Sequence, residues 1–210
     1  MKRTLATAAL VCLTAITLAA QTPAGWKQRL DRSTSASDPD AAGTVKFVTM
    51  GNGFHATNPA AAVYWNPANT ATGNYTVKGS FKLVKPSGHT NYYGLVFGGA
   101  ELDGPNQNYI YFTVGQDGTW LLKRRDGDVN APTIQAKTAS DAVKKPGADG
   151  TSVNDLEVRV QANKIDYVVN GTVVHSTPKT GMTAKTDGIA GIRVNHQLEV
   201  HIDNFAVTKQ

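Results

Sequence analysis

The sequence of 210 residues is poor in cysteine, in glutamate and in long apolar runs. Its single cysteine, Cys12, lies in an apolar N-terminal stretch, and only three of its 16 acidic residues are glutamates. After residue 20, no apolar run approaches the roughly 20 residues that span a bilayer. A chain that loses Cys12 cannot use a disulfide framework, thiol catalysis or a cysteine-based zinc site. The shortage of glutamate also disfavours long surface helices.

Residues 1–20 have the pattern of a secretory signal peptide. Lys2 and Arg3 form its basic start, an uncharged apolar segment follows, and small residues precede Gln21. We therefore predict that the protein is secreted or periplasmic. The remaining residues, 21–210, show no repeat, linker or change of composition, which predicts one domain.

The charge of the chain gives little indication of a macromolecular partner. The net charge is +5, and removal of Lys2 and Arg3 with the signal peptide would lower it by two. The one basic triplet, at residues 123–125, is typical of a solvated strand end. No nucleic-acid partner and no membrane span are predicted, and the oligomeric state is not indicated.

Short segments rich in Val, Ile, Tyr, Phe and Thr alternate with clusters of Gly, Asn, Asp and Pro. The segments predict β-strands, and the clusters predict turns. Residues 138–145 could instead form two helical turns. We therefore predict an all-β fold, a two-sheet antiparallel jelly-roll sandwich. The predicted strands lie near residues 44–50, 53–57, 61–65, 73–84, 91–98, 107–115, 118–125, 154–161, 164–170, 172–176, 188–194 and 197–208.

Local signals define two hairpins and one irregularity in this pattern. Asn170-Gly171 separates two predicted strands, and Asp117 with Gly118 separates two others; both pairs tolerate the positive φ angles of tight turns. Apolar residues alternate with polar ones from residue 198 onwards, and the phase shifts by one position after Asp203. That shift predicts a β-bulge.

Several strand-and-turn segments resemble known sandwich proteins. They are Gly-Trp-Lys at residues 25–27, Asn-Tyr-Tyr-Gly-Leu-Val-Phe at 91–97, Tyr-Ile-Tyr-Phe at 109–112, and the pair of strands over 191–205. Together they resemble the concanavalin A-like lectin/glucanase superfamily, and within it the 3-keto-disaccharide hydrolase domain of exported bacterial proteins. The resemblance implies a jelly-roll sandwich and, as an activity, hydrolysis of 3-keto-disaccharides.

The acidic residues do not form the pair that retaining glucanases need. Glu101 and Asp103 begin a Glu-x-Asp-x-x-Glu pattern, but Asn106 stands where the second Glu is required. Glu199 and Asp203 lie four positions apart on one strand, roughly 13 Å, whereas a retaining pair is separated by about 5–5.5 Å. Ordinary glucanase activity is therefore not predicted, and whether the chain is an enzyme is left open.

Two small clusters were considered as metal sites. His196, His201 and Asp203 could converge, and the residues 126–128 (Asp-Gly-Asp) could supply oxygens to calcium. Neither cluster has a recognised ligand spacing. The sequence therefore predicts no metal and no other cofactor, and it leaves His201 as a weak candidate for a catalytic base.

Four residues have the chemistry of a sugar-binding surface. Tyr109 and Tyr111 alternate with apolar neighbours, as do Arg193 and His201, so all four are predicted to point away from the core. Aromatic faces and planar hydrogen-bonding groups suit sugar rings. We predict that the chain binds carbohydrate on one sheet face, with two alternatives: a hydrolase of 3-keto-disaccharides or glycosides, or a non-catalytic cell-surface adhesion or structural domain. Ordinary strand packing would also explain these residues.

Overall fold

The computed structural model describes residues 22–33 and 35–210, and most of them lie in β-strands. The predicted signal peptide, residues 1–20, lies outside the described residues. The strands are β1 (Lys27–Leu30), β2 (Lys46–Met50), β3 (Gly53–Asn58), β4 (Ala62–Ala71), β5 (Tyr75–Lys85), β6 (Tyr92–Ala100), β7 (Asn108–Gly115), β8 (Thr119–Asp126), β9 (Thr133–Ala139), β10 (Ser152–Val160), β11 (Lys164–Val169), β12 (Thr172–Pro178), β13 (Gly188–Val194) and β14 (Leu198–Lys209).

The strands form two seven-stranded sheets in which neighbouring strands are antiparallel. The first sheet has the order β1-β4-β13-β6-β7-β8-β9, and the second has the order β12-β11-β10-β5-β14-β3-β2. Strands that are consecutive in sequence often lie in different sheets, as β13 and β14 do. The predicted all-β jelly-roll sandwich is confirmed.

The main core lies between the two sheets and is built by alternation along each strand. In β10, Leu156, Val158 and Val160 are buried, whereas the residues between them are more exposed. Aromatic rings join the sheets: the centroids of Phe112 and Tyr167 lie 5.3 Å apart. Burial of one such side chain contributes about 1.5–3 kcal/mol to folding, so the core fixes which face of each strand points inward.

The local predictions about the backbone are confirmed. Asn170 and Gly171 have φ angles of 49° and 81°, as a two-residue type I′ hairpin requires. The register of β14 against β5 shifts between Asp203 and Ala206, and Asn204 has a φ of 54°. That shift is the bulge that the change of apolar phase predicts.

The structure differs from the sequence prediction at the edges of the first sheet. β1 and β9 were not predicted, because an edge strand that buries neither face has no alternating pattern. The proposed helical turns over residues 138–145 are wrong, since β9 continues to Ala139 and a turn follows. Within the described residues, no helix is long and apolar enough to cross a membrane.

Candidate functional site

Three of the four predicted site residues lie together on the outer face of the first sheet. Tyr109 and Tyr111 project from β7, and Arg193 projects from β13. Arg193 Nη1 donates a hydrogen bond of 2.8 Å to the Tyr109 hydroxyl, and its guanidinium carbon lies 4.8 Å from the centre of the Tyr111 ring. The guanidinium is therefore held by one tyrosine and lies over the other.

Asp31 fixes the same guanidinium from the opposite side. Its carboxylate lies 2.6 Å from Arg193 Nη2 and also pairs with Arg125. Asp31 directly follows β1, and its backbone N–H donates to the carbonyl of Ala61 at 2.8 Å. All three charged side chains are about nine-tenths buried, with exposures of 9–12%. One carboxylate thus bridges two buried cations.

The outer face of β8 adds two cationic groups to this arrangement. The register of β7 and β8 places Arg125 beside Tyr109 and Lys123 beside Tyr111. The alternate residues of β8 face the opposite way: Trp120 lies in the main core. The inward position of this ring explains why Lys123 and Arg125, at the alternate positions of the strand, face the site.

Neither of the two tyrosine side chains is exposed. Tyr109 is fully buried and Tyr111 is 7% exposed. They point away from the main core, as alternation predicts, but they belong to a second apolar cluster that includes Trp65 and Leu102. Leu102 lies beyond the end of β6, in the connection to β7. Tyr109 therefore positions Arg193 and presents no free ring face.

Burial and charge determine the ionisation of these groups. Burial raises the pKa of the Tyr109 hydroxyl, although the neighbouring Arg193 opposes that rise. Burial disfavours the charge on Arg193, but Tyr109 and Asp31 outweigh it, so the pKa of the guanidinium is raised. Burial, together with Arg193 and Arg125, lowers the pKa of Lys123. The tyrosines remain neutral hydrogen-bonding groups, and Arg193 remains a cation.

A pocket of about 260 Å³ opens beside this charged cluster. Its polar wall contains donors and acceptors from five separate parts of the chain. Arg125 Nε is buried and has no hydrogen-bond partner among the described residues, which is uncommon for a donor of this kind. The residues that line the pocket are Asp31, Arg32, Ser33, Ser35, Asp38, Ala61, Asn91, Arg125, Arg193, Asn195 and His196.

Two histidines meet a carboxylate at the side of this pocket. His196 lies in the turn between β13 and β14, and His89 lies between β5 and β6. Asp38 Oδ1 is 2.8 Å from His89 Nε2 and 3.1 Å from His196 Nε2, and the two Nε2 atoms are 3.1 Å apart. Asp40 Oδ1 lies 3.1 Å from His196 Nδ1. Among the described residues, Asp38, His89 and His196 are the one group whose donor atoms could hold a metal ion.

His201 does not share a face with the other predicted site residues. It lies on β14, which belongs to the second sheet, and its Nε2 is 3.3 Å from Asp203 Oδ1. The ring of His55 is 6.2 Å away. His196 contacts other groups, so the proposed cluster of His196, His201 and Asp203 does not form. Alternation determines whether a residue points inward, but it does not determine which sheet a strand joins.

The other acidic candidates are engaged in ordinary surface contacts. Asp103 pairs with Lys27 at 2.8 Å, and both side chains are at least half-exposed. The carboxylate of Asp128 lies 2.7 Å from Arg29, and that of Asp126 accepts a hydrogen bond from a side-chain amide. Glu199 lies 3.9 Å from an imidazole on the neighbouring strand. None of these four acidic residues lines the pocket.

Three larger cavities lie elsewhere on the described part of the protein, with volumes of about 500, 460 and 370 Å³, the last of them around Lys185. The first lies over the second sheet between Gly79, Gly171 and Asn204, where small residues and a bulge leave a depression. The second lies between the chain around Gly43 and the chain around Gly88. None of the three is lined by a buried ion pair or by imidazoles, so the pocket beside Arg193 is the better candidate.

Sequence reasoning missed the groups that complete the site. Asp31, Asp38 and Asp40 belong to what we call the acidic segment, residues 31–33 and 35–40, which contains no strand. Such a segment has no periodicity from which an orientation could be predicted. The orientation of Arg125 could have been predicted, because it lies two positions after Lys123 and therefore on the same face of β8, opposite the apolar residues of that strand.

No known protein family and no curated protein sequence matches the chain. Several solved structures match its fold. The carbohydrate binding module CBM66 from Bacillus subtilis aligns with a TM-score of 0.61 at 10% identity, over 88% of this chain and 95% of that one. A Bacillus subtilis protein of unknown function with a galectin-like fold aligns with a TM-score of 0.58 at 15% identity, over 87% of this chain and 88% of that one.

A third structure, the metal-free form of the Emp46p carbohydrate recognition domain, aligns with a TM-score of 0.57 at 12% identity, over 88% of each chain. At these identities the likeness shows the fold alone. The finer resemblance to 3-keto-disaccharide hydrolase domains is not confirmed. The chain shares the two-sheet jelly-roll sandwich fold of these three structures.

Proposed function

We propose that the protein binds carbohydrate in the pocket beside Arg193. The observation that carries this proposal is the fixed guanidinium at the pocket wall. Tyr109, Asp31 and Asn195 hold three of its N–H groups, at 2.8, 2.6 and 3.1 Å. Arginine has five such donors, so donors remain for a ligand, and their direction is set before binding. Preorganised donors bind hydroxyl groups with little entropic cost.

The composition and size of the pocket support a sugar rather than a charged polymer. Carboxylates, amides and guanidinium groups alternate around its wall, and this mixture matches the many donors and acceptors of a sugar. Its volume of about 260 Å³ is below the roughly 300–1,000 Å³ of pockets for drug-sized ligands. A single sugar unit, such as the end of a glycan chain, suits this space.

The fold likeness adds independent support. Two of the structures that align with this chain are described as a carbohydrate binding module and a carbohydrate recognition domain. The same sandwich therefore occurs in proteins of that binding class, although fold does not determine function.

The proposal is tested by a glycan array followed by calorimetry with the best ligand. Arg32→Ala and Asn195→Ala alter exposed and half-buried residues of the pocket wall, so they should preserve the fold. Each should weaken binding about 5- to 100-fold, since one lost hydrogen bond costs about 1–3 kcal/mol. Lys78→Ala, in the cavity over the second sheet, is the matched control and should bind as the unchanged protein does. Loss of binding in the control alone would move the site to that cavity.

A second candidate function is the hydrolysis of 3-keto-glycosides. The imidazole pair beside the pocket favours it, because elimination next to a ketone needs a base. Incubation of the unchanged protein and of His89→Ala with a 3-keto-glycoside distinguishes the two functions. An enzyme that uses His89 as its base should lose turnover about 10²–10⁴-fold in the variant, whereas a binding protein has no turnover to lose. Neither binding nor turnover would leave an adhesion or structural role.

Export is the remaining part of the proposed function. The basic and then apolar start of the sequence supports it. Intact-mass analysis of material released by cells should show a chain that begins near Gln21. Full-length protein held in the membrane fraction would contradict this proposal.

A further inference from the structure

The cluster of Asp38, His89 and His196 has the geometry of a metal site. Its three donor atoms form a triangle with edges of 2.8, 3.1 and 3.1 Å. Bonds of about 2.1 Å to neighbouring positions of an octahedral ion place the ligand atoms about 3.0 Å apart, and a tetrahedral ion separates them by about 3.4 Å. A point about 1.1 Å above the triangle lies about 2.05 Å from all three atoms, which is a normal metal–ligand distance.

The hydrogen bonding of His196 explains why a cation is favoured at that point. Asp40 Oδ1 lies 3.1 Å from His196 Nδ1, and a carboxylate can only accept, so Nδ1 carries the proton. In a neutral ring the Nε2 atom then has a lone pair, and it faces the carboxylate of Asp38 and the Nε2 atom of His89. Electron pairs that face one another at this distance repel unless a cation, either a metal ion or a proton on His89 Nε2, lies between them.

The surrounding residues fit the same interpretation. Ligating histidines commonly donate their second ring N–H to a carboxylate, which fixes the ring and strengthens the ligand, and Asp40 has this relation to His196. The amide Nδ2 of Asn91 lies 3.0 Å from His89 Nε2, so an ion bound there would replace this amide as the partner of that nitrogen. His196 is buried, whereas His89 and Asp38 are about half-exposed, so the cluster has a path to solvent.

We propose that Asp38, His89 and His196 bind a divalent first-row transition metal ion, with Asp40 as a positioning residue. Two imidazoles and one carboxylate suit zinc, cobalt, manganese or iron better than calcium, which prefers six to eight oxygen ligands. Asp38 and His196 also line the pocket, so the ion lies at the pocket wall and has coordination positions left for a hydroxyl or carbonyl oxygen. That last role rests on the proposed carbohydrate function; the metal site itself does not.

The test uses tag-free protein, stripped with a chelator and titrated with Zn²⁺ by calorimetry and with Co²⁺ by visible absorption, without any sugar. We expect one equivalent of each ion to bind and Co²⁺ to show the d–d bands of imidazole coordination. His89→Ala and Asp38→Ala should each weaken binding at least 100-fold, and Asp40→Asn about 10- to 100-fold. His89 and Asp38 are the preferred positions because their partial exposure makes misfolding less of a concern.

The matched control is His201→Ala, which removes an imidazole that also lies beside a carboxylate. The control should bind both ions as the unchanged protein does, and circular dichroism should show all variants folded. The proposal is overturned if no saturable binding of either ion occurs, as expected when a shared proton occupies the cluster. It is also overturned if His201→Ala weakens binding as much as His89→Ala does. Sugar binding that fails while metal binding persists would contradict only the proposed carbohydrate function.

Discussion

Replacement of Asp31 by alanine should destabilise the protein strongly. Its carboxylate is the shared partner of Arg193 and Arg125, and all three side chains are about nine-tenths buried. The substitution leaves two guanidinium groups close together in an environment that water hardly reaches. Removal of one partner from a buried ion pair costs about 3–5 kcal/mol, since an uncompensated charge remains. Two cations lose their shared partner here, so we expect a cost in the upper part of that range.

Differential scanning calorimetry measures this effect directly. For a domain of this size, each kcal/mol lowers Tm by about 2–4 °C, so Asp31→Ala should lower Tm by roughly 6–20 °C. The control is Asp103→Ala, which breaks the ion pair with Lys27, whose partners are 68% and 50% exposed. An exposed pair contributes at most about 1 kcal/mol, so the control should change Tm by no more than about 4 °C. Equal effects of the two substitutions would refute the idea that burial makes the Asp31 bridge important.

Three further predictions concern the turn, the tyrosines and a half-buried imidazole. Gly171→Val should cost about 1–2 kcal/mol in urea unfolding because its φ is +81°, whereas Gly88→Val, which has equally open surroundings and no positive φ, should cost much less. Tyr109→Phe removes the acceptor of a buried guanidinium N–H and should cost about 1–3 kcal/mol, whereas Tyr111→Phe should be nearly neutral; similar values for both would contradict this. Burial lowers the pKa of His175, so below the ordinary imidazole value of about 6.5 the unfolded chain binds more protons and stability falls as the pH drops. Melting curves between about pH 5 and 8 should show a shallower fall for His175→Phe.

The fold could be predicted to the extent that its signals are local. Alternation along β10 and the Asn170-Gly171 turn depend on neighbouring residues, and both were predicted correctly. β1 and β9 escaped prediction because their side chains contact too little of the protein to require a pattern. A strand that buries neither face resembles a loop in sequence.

The site could be predicted only in part. Tyr109, Tyr111 and Arg193 lie on one face, as alternation indicated, but the sheet to which His201 belongs depends on pairing between distant strands. The burial of Tyr109 depends on a cluster that includes Leu102, from a separate connection. The acidic segment carries carboxylates that only the folded chain brings to the histidines and arginines. No local pattern contains that information.

The acidic segment has a consequence for the motions of the protein. Its carboxylates pair with arginines on the strands and contact imidazoles in the connections between strands. Asp31 directly follows the four-residue edge strand β1. Edge strands and irregular segments open at lower free energy than central strands do. A transient detachment of β1 with its following residues would expose both arginines at once and separate Asp38 from its imidazoles. Any ligand that contacts these groups should therefore slow hydrogen exchange in residues 27–33. The occupancy of the pocket would then change the dynamics of one edge of the first sheet.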